Sequence, residues 1–412
     1  MIAVIADDLT GASDAGVHFA RRGLVTRVLF DVCEPAVTDE VDVVVVDTDS
    51  RGLPPDAAYA RVRETAERLR MLDPEHVYKK VDSTLRGNLG AEIDAVMDAL
   101  GYRLAMIAPA FPALGRTTRD GLHRLHGRPV DETEVGRDPK TPVRDSNLIR
   151  LLQTQSRRAA AVVSVEVVAS GSRAIRNEVE AQVQRGASLL VCDAESDDAL
   201  QAIAASGADR RDILWVGSAG LADHLAEALG LPTVGTHGAH LAGSDGAVLL
   251  VAGSASQITR QQMEALCACP RVTTVKLDPA ALVDGGSELE RCRRELDVAL
   301  ASGQDCALVV AGEQPRRELA ARIVDVLGTL AADCARLHPL RGLILTGGDT
   351  ARAVCRHLGV SSFELLAEIE PGVPLGRLIG HTSTTYPAVT KAGGFGTEQT
   401  LVRALRQLKG DR

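Results

Sequence analysis

Val43-Val44-Val45-Val46-Asp47-Thr48-Asp49-Ser50-Arg51 is the stretch whose reading decides the fold. Four consecutive β-branched apolar residues show no period-two alternation, so the strand they form is covered on both faces, as strands of a parallel sheet are. The run then breaks into carboxylates, hydroxyls and a guanidinium, which puts chemistry at one edge of that sheet. The same succession recurs on both sides. Ile2-Ala3-Val4-Ile5-Ala6 runs into Asp7-Asp8-Leu9-Thr10-Gly11-Ala12, and His76-Val77-Tyr78-Lys79-Lys80 runs into Val81-Asp82-Ser83-Thr84-Leu85-Arg86-Gly87-Asn88. Leu104-Ala105-Met106-Ile107-Ala108 likewise precedes Pro109-Ala110-Phe111-Pro112-Ala113-Leu114-Gly115-Arg116-Thr117. Segments of helical period lie between them, at about 12–22, 55–71 and 90–100. Strands alternating with helices in this way predict an α/β fold.

Residues 111–142 have little periodicity and carry four prolines, so they read as an ordered excursion over the sheet, and loops of this length are commonly functional. Alternation resumes until Gly230-Leu231-Pro232 breaks it. The small, polar, glycine-rich residues 235–246 mark the best linker candidate. A second alternation begins at 247 and runs to a more β-rich stretch, 363–391, and a last helix at 398–408. The expectation is two domains, 1–234 and 247–412, each a mainly parallel sheet flanked by helices, with a cleft between them.

Hydrophobic residues at 45% and charged residues at 25% are the balance of a soluble globular chain, and the net charge of -9 argues against nucleic acid or an anionic membrane as a partner. Aromatic residues make up only 2%, so base stacking on exposed rings is a poor explanation for any binding function. Eight scattered cysteines without CxxC spacing read as reduced packing residues. The opening residues have neither a basic nor a long apolar leader region, and no apolar run reaches the ~20 residues of a membrane span, so a cytoplasmic location is expected.

The first-half clusters mix acids, cations and hydroxyls as a small polyhydroxy acid would require. Asp7 and Asp8 stand at a strand's carboxyl edge, where doubly wound folds bind ligands; an Asp there deprotonates a hydroxyl or holds a metal ion, or else Asp8 or Thr10 merely caps the following helix. The loop at 79–88 is a substrate loop, with Arg86 able to grip a carboxylate through two bonds, or a salt-bridged cap. Gly115-Arg116-Thr117 reads equally as substrate cover or as surface structure. No histidine spacing matches a zinc site, and His123, His126 and His224 read as structural or surface groups. In the second half, Gly347-Gly348-Asp349-Thr350, Gly253-Ser254-Ala255-Ser256 and Gly393-Gly394-Phe395-Gly396, beside Lys391, are strand-to-helix turns suited to phosphate. Each alone is an ordinary tight turn; together they point to a nucleotide. There is no Walker A motif and no GxGxxG after the first strand, which disfavours a P-loop enzyme or a dinucleotide dehydrogenase.

Residues 5–12, 78–90, 108–117, 132–143, 347–350 and 391–396 together resemble the four-carbon acid sugar kinase family, in order and over nearly the whole chain. The resemblance implies a sugar-acid-binding first domain, a nucleotide-binding second domain, and phosphorylation of a tetronate at its terminal 4-hydroxyl with ATP and Mg2+, the metal ligands being unassigned. The 79–87 loop resembles the D-threonate and D-erythronate branch, in that order; a 3-oxo-tetronate 4-kinase and a non-catalytic nucleotide and sugar-acid sensor remain as alternatives. By matching position, ATP contacts fall on Ser254 or Ser256, Gly347, Gly348, Asp349, Thr350 and Gly393, and substrate contacts on Asp8, Ser50, Arg51, Lys80, Asp82, Ser83 and Arg86. Arg86 with Lys80 is expected to bind the substrate carboxylate and Asp8 to act as base, with Asp82 as its competitor. No nucleic acid or membrane partner is expected, and a homodimer is left open.

Overall fold

The computed structural model describes residues 1–30, 41–138, 140–231, 245–254, 256–270, 272–282, 286–312, 319–380 and 384–410. Two units, Met1–Gly235 and Thr236–Arg412, each hold their own contacts. The expected linker lies outside the described residues, apart from Asp245 and Gly246.

In the first unit the strands are β1 (Ile2–Ala6), β2 (Thr26–Leu29), β3 (Val43–Asp47), β4 (His76–Lys80), β5 (Leu104–Ala108), β6 (Arg116–Arg119), β7 (Leu122–Leu125), β8 (Arg128–Pro129), β9 (Ala160–Val163), β10 (Leu189–Cys192) and β11 (Ile213–Gly217). All except β6 to β8 pair in parallel, in the order β2-β3-β1-β4-β11-β5-β10-β9. Val43 to Val46 are at most 2% exposed, so both faces of β3 are covered, as its unbroken apolar run requires. Burying each such side chain contributes roughly 1.5–3 kcal/mol, upper values because unfolded chains already bury some surface.

The order of the strands places the site. From β1 the chain moves to one side to build β2 and β3, then crosses back to lay β4 on the other side of β1. Flanking connections leave in opposite directions there, and the crevice this opens at the carboxyl ends is where open α/β sheets take ligands. Asp7, Asp8, Arg51 and the loop after β4 all stand at that edge.

The excursion at 111–142 is a sheet of its own. Strands β6, β7 and β8 are antiparallel and joined by two-residue turns, Asp120-Gly121 and His126-Gly127. All four turn residues have positive φ (54°, 68°, 49° and 80°), the geometry that matches the twist of a tight hairpin. Asp-Gly between short strands is a hairpin signal that periodicity over so few residues does not reveal.

The second unit contains β12 (Ala247–Ala252), β13 (Val272–Leu277), β14 (Asp305–Val310), β15 (Leu340–Thr346), β16 (Val360–Glu370), β17 (Val373–Gly380) and β18 (Thr385–Lys391). The order is β13-β14-β12-β15-β18-β17-β16, parallel through β18 and antiparallel beyond it. The β-rich stretch expected at 363–391 is this antiparallel part. The direction of winding reverses between β12 and β15, so this unit also has a switch point, at Gly253 and Gly347.

One ion pair stitches the first unit beneath its site. Lys79 is fully buried, with Nζ 2.8 Å from Glu92 Oε2 on the helix Leu89–Leu100, and Ser50 Oγ donates to the other carboxylate oxygen at 2.8 Å. Removing one partner of a buried pair strands the other charge. Glu92→Ala is therefore expected to lower the unfolding free energy by about 3–5 kcal/mol in denaturant titration. The Lys79→Met/Glu92→Leu double variant should recover most of that loss; equal losses in both would refute a charge-based origin.

Candidate active site

Arg51 organises the carboxyl edge of the first unit. Its Nε and Nη2 donate to Asp7 Oδ2 and Oδ1 at 2.7 and 2.9 Å, and its Nη1 and Nη2 donate to Asp8 Oδ2 and Oδ1 at 2.6 and 2.7 Å. Asp7 and Asp8 are adjacent on an extended chain, and one planar fork between them makes their joint ionisation tolerable. Asp8 also caps the helix Leu9–Ala20, accepting from Gly11 N–H at 2.8 Å. A Cβ at Gly11 would lie 2.6 Å from Asp8 Oδ1 and 3.1 Å from Lys80 Nζ, so glycine lets the helix begin this close to both groups.

The two aspartates differ electrostatically. Burial pushes the Asp7 carboxyl up, but Arg51, Lys79 and Lys80 outweigh it and hold Asp7 below the ordinary value. Burial together with the neighbouring Asp7 and Asp82 charges leaves Asp8 raised in spite of Arg51. Asp8 is also the more open, its side chain 27% exposed against 4% for Asp7.

Asp82 is the centre of its own loop. Its Oδ2 accepts from Arg86 Nε at 2.9 Å, from Arg86 N–H at 3.2 Å, from Thr84 N–H at 3.3 Å and from the Thr84 hydroxyl, while Oδ1 accepts from Arg86 Nη2 at 3.1 Å. Burial pushes this carboxyl up, yet Arg86, Arg51 and Thr84 hold it well below the usual range. So strongly stabilised an anion is a poor proton acceptor. The turn forces Leu85 to φ 64° and Gly87 to φ 97°, and a non-glycine residue there stores roughly 1 kcal/mol of strain.

Against the sequence expectations, the placement is uneven. Asp8, Arg51, Lys80, Asp82 and Arg86 come together at the edge. Arg86, however, presents no open fork: Asp82 takes Nε and Nη2, and Nη1 faces Asp138 at 3.6 Å. Lys80 is 3% exposed and its Nζ donates to the Val81 carbonyl at 3.1 Å, with no carboxylate in ion-pair range among the described residues. Ser50 is fully buried and turned inward to Glu92 and Thr48, so its hydroxyl supports the site from beneath. Ser83 is half-buried. His123 is structural and fully buried: its Nε2 donates to the Ser83 carbonyl at 2.9 Å, which leaves Nδ1 to accept from the Thr118 hydroxyl at 2.9 Å. Burial pushes its imidazole down to about 4, keeping it neutral as that arrangement needs.

In the second unit three turns converge at the switch point. Gly253, Ser254 and residues 347–350 line a cavity of about 240 Å3 together with Ala320, Ile323 and Val324. The helix Gly348–Leu358 starts at Gly347, φ 102°, with no side chain capping it, so its N-terminal end faces the cavity. A Cβ at Gly253 would lie 2.1 Å from Thr350 Oγ1, and one at Gly393 would lie 1.9 Å from Ser254 Oγ. Ser256 is committed, donating to the Gly393 carbonyl at 2.6 Å and accepting from Thr259 N–H at 3.1 Å, whereas Ser254 lines the cavity. Ala255 lies outside the described residues. The Gly393 turn does not lead straight into a helix, which begins only at Thr400.

Lys391, at the end of β18, was named in the sequence only as a neighbour of these glycines. It is 2% exposed; its Nζ donates to Thr346 Oγ1 at 3.2 Å and to the Gly393 carbonyl at 3.3 Å, with no carboxylate in ion-pair range among the described residues. Burial pushes the amine down to about 8. A buried cation among neutral dipoles and beside a helix start suits a phosphate.

Residues 2–225 match the sugar-binding N-terminal domain family and residues 249–401 the nucleotide-binding C-terminal domain family. The D-threonate kinase of Salmonella typhimurium is 33% identical, over 98% of this chain and 97% of that one. The chain belongs to the four-carbon acid sugar kinase family. Other family members similar to it are the D-erythronate kinase of Heliobacterium modesticaldum, 34% identical over 96% of this chain and 94% of that one, and the 3-oxo-tetronate kinase of Methylobacterium radiotolerans, 36% identical over 97% of each. A crystal structure from Salmonella typhimurium has a TM-score of 0.86 at 27% identity, covering 98% of this chain and 99% of that one. A Bordetella bronchiseptica relative, a domain-swapped dimer with bound citrate, is 35% identical with a TM-score of 0.50, covering 100% of this chain and 99% of that one. As a member of this family the chain is a phosphotransferase that acts on a four-carbon sugar acid, which sets aside a non-catalytic sensor.

Burial pushes the Lys391 amine down to about 8 in the folded chain, against ~10.4 when unfolded, so between those values folding releases its proton. The penalty is complete below pH 8 and fades as pH rises towards the unfolded value. Lys391→Met is expected to raise the unfolding free energy of the unliganded protein at pH 7 by roughly 1–3 kcal/mol, and the gain over wild type should vanish near pH 10. Denaturant titration of both proteins across that range measures it, and a gain independent of pH would contradict the assigned cause.

Proposed function

We propose that this enzyme transfers the γ-phosphoryl group of ATP to the terminal 4-hydroxyl of a tetronate, D-threonate first and D-erythronate next. The observation that carries the reading is Asp8. Among the described acids at the first unit's edge, Asp8 alone combines a raised carboxyl with a side chain that is partly open, 27% exposed, the two properties a general base for a hydroxyl needs. Asp82 is too well stabilised, and Glu92 is raised but buried in its ion pair. The 3-oxo-tetronate reading keeps its place, since a relative of that name is as similar as the threonate kinases.

Nucleotide binding is assigned to the second unit, with Gly347 to Thr350 and Gly393 offering backbone groups, Ser254 a hydroxyl and Lys391 a positive charge. Ser256 has the supporting role of tying the Gly393 turn to the helix Gln257–Cys267. Among the described residues no group of three or more His, Cys, Asp or Glu side chains is arranged to hold a metal. The donor set therefore suits Mg2+ held mainly by phosphate oxygens, with Asp349 the acid of the turn. Bound there, the ion would neutralise charge on the transferred group. The chain's own contribution is positioning: Arg51 holds Asp8, Lys80 adds positive charge beside it, and the glycine turns fix the phosphates. The cleft expected between the domains belongs to this proposal, as do a cytoplasmic location and a homodimer.

Asparagine caps helices as well as aspartate does, so Asp8→Asn preserves the helix start while removing the base. A coupled assay of ADP release with a panel of tetronates is expected to show D-threonate preferred by wild type and kcat reduced about 10²–10⁴-fold in Asp8→Asn. Wild-type turnover in that variant would remove Asp8 as the base, and activity confined to 3-oxo-tetronates would favour the second reading.

A further inference from the structure

The cations at the first unit's edge are not equivalent. Arg51 is spent on Asp7 and Asp8, Arg86 on Asp82, and Lys79 on Glu92. Arg116 is different. Its Nε is buried without an acceptor, and among the described residues its guanidinium forms no ion pair.

Its position follows from the small sheet. Arg116 opens β6, and Thr118, two residues on, shares its face. Thr118 bonds to His123, and His123 in turn bonds to the Ser83 carbonyl, so that face is the one docked on the Asp82 loop. The charges acting on Arg116 are Asp82, Asp14 and Glu134, which favour the cation, and Arg86, which opposes it. Burial holds its guanidinium below the ordinary arginine value. A guanidinium partly withdrawn from water, with an unsatisfied Nε, carries an uncompensated desolvation cost. The Nε is closed to a ligand, but a carboxylate that meets the two Nη groups in parallel supplies the counter-charge the guanidinium lacks.

We propose that Arg116 is the receptor for the substrate's carboxylate, and so the residue that selects an acid over a neutral sugar. This rests on the tetronate reading above but assigns the acid end to the excursion sheet instead of to Arg86. The half-buried Ser83, on the loop that His123 ties to this sheet, stands on the side from which substrate hydroxyls would be met.

The test is calorimetric titration of the full chain with D-threonate and with its neutral amide, for wild type, Arg116→Ala and Arg116→Lys, alongside steady-state kinetics and ATP affinity. Wild type should bind the acid well and the amide weakly. Arg116→Ala should weaken acid binding about 10- to 100-fold and raise its KM equally, with amide binding and ATP affinity unchanged. Arg116→Lys, which keeps the charge and loses the fork, should fall between them, and carries the test if the alanine variant does not fold. Undiminished acid binding in the variants, equal loss of acid and amide, or a wild type that does not discriminate between them would each overturn the assignment. If wild type phosphorylates no tetronate yet Arg116→Ala selectively loses acid binding, the kinase reading fails and the receptor assignment survives.

Discussion

Two adjacent carboxylates at the end of β1 set the terms for everything else in the first unit. Asp7 and Asp8 leave the sheet side by side, and like charges so close do not both ionise unless a cation with the right shape stands between them. Arg51, delivered by the end of β3, is that cation; its planar fork faces both. The neighbouring strand must therefore hold its carboxyl end in register with β1, as the pairing of Ala6 with Asp47 does. The buried Lys79–Glu92 pair and the inward Ser50 support this edge from below. Asp8 keeps a raised carboxyl because burial and the neighbouring Asp7 and Asp82 charges outweigh Arg51 there, whereas Arg51, Lys79 and Lys80 together hold Asp7 down.

The two units handle charge in opposite ways. The first spends Arg51, Arg86 and Lys79 on protein carboxylates, and among the described residues leaves Arg116 and Lys80 without an ion pair. The second holds Lys391 among hydroxyls and carbonyls, with no carboxylate in ion-pair range among the described residues, beside a helix start that no side chain caps. An ion network tuned in advance holds a reacting hydroxyl in one geometry, whereas a deficit of negative charge waits for a polyanion. Both arrangements cost stability in the unliganded chain, through stranded positive charge and through the left-handed Leu85.

Much of the site was legible because parallel sheets concentrate function at their carboxyl edge. The polar clusters after β1, β3 and β4, and the glycine turns after β12, β15 and β18, stood out as abrupt changes from apolar runs. Other features were not legible. Ser50 and Ser83 look alike in sequence, yet Ser50 turns inward to Glu92, a partner 42 positions away. Arg86 reads as a free fork until the turn at Leu85 folds it back on Asp82. The excursion sheet had its signal in Asp120-Gly121, because strands of four residues or fewer are too short to show a period.

The sequence by itself determined that this is an α/β chain of two alternating halves, with the strand ends as the seats of chemistry, and its motifs sufficed for the family. Those properties follow from local patterning, which one residue after another imposes on backbone and burial. Which carboxylate is raised, which guanidinium is spent and which lysine meets hydroxyls and carbonyls and no described carboxylate were decided only by the tertiary structure. Charge states depend on distance and burial, and groups such as Arg51 and Asp7, 44 residues apart, meet only when the sheet is complete.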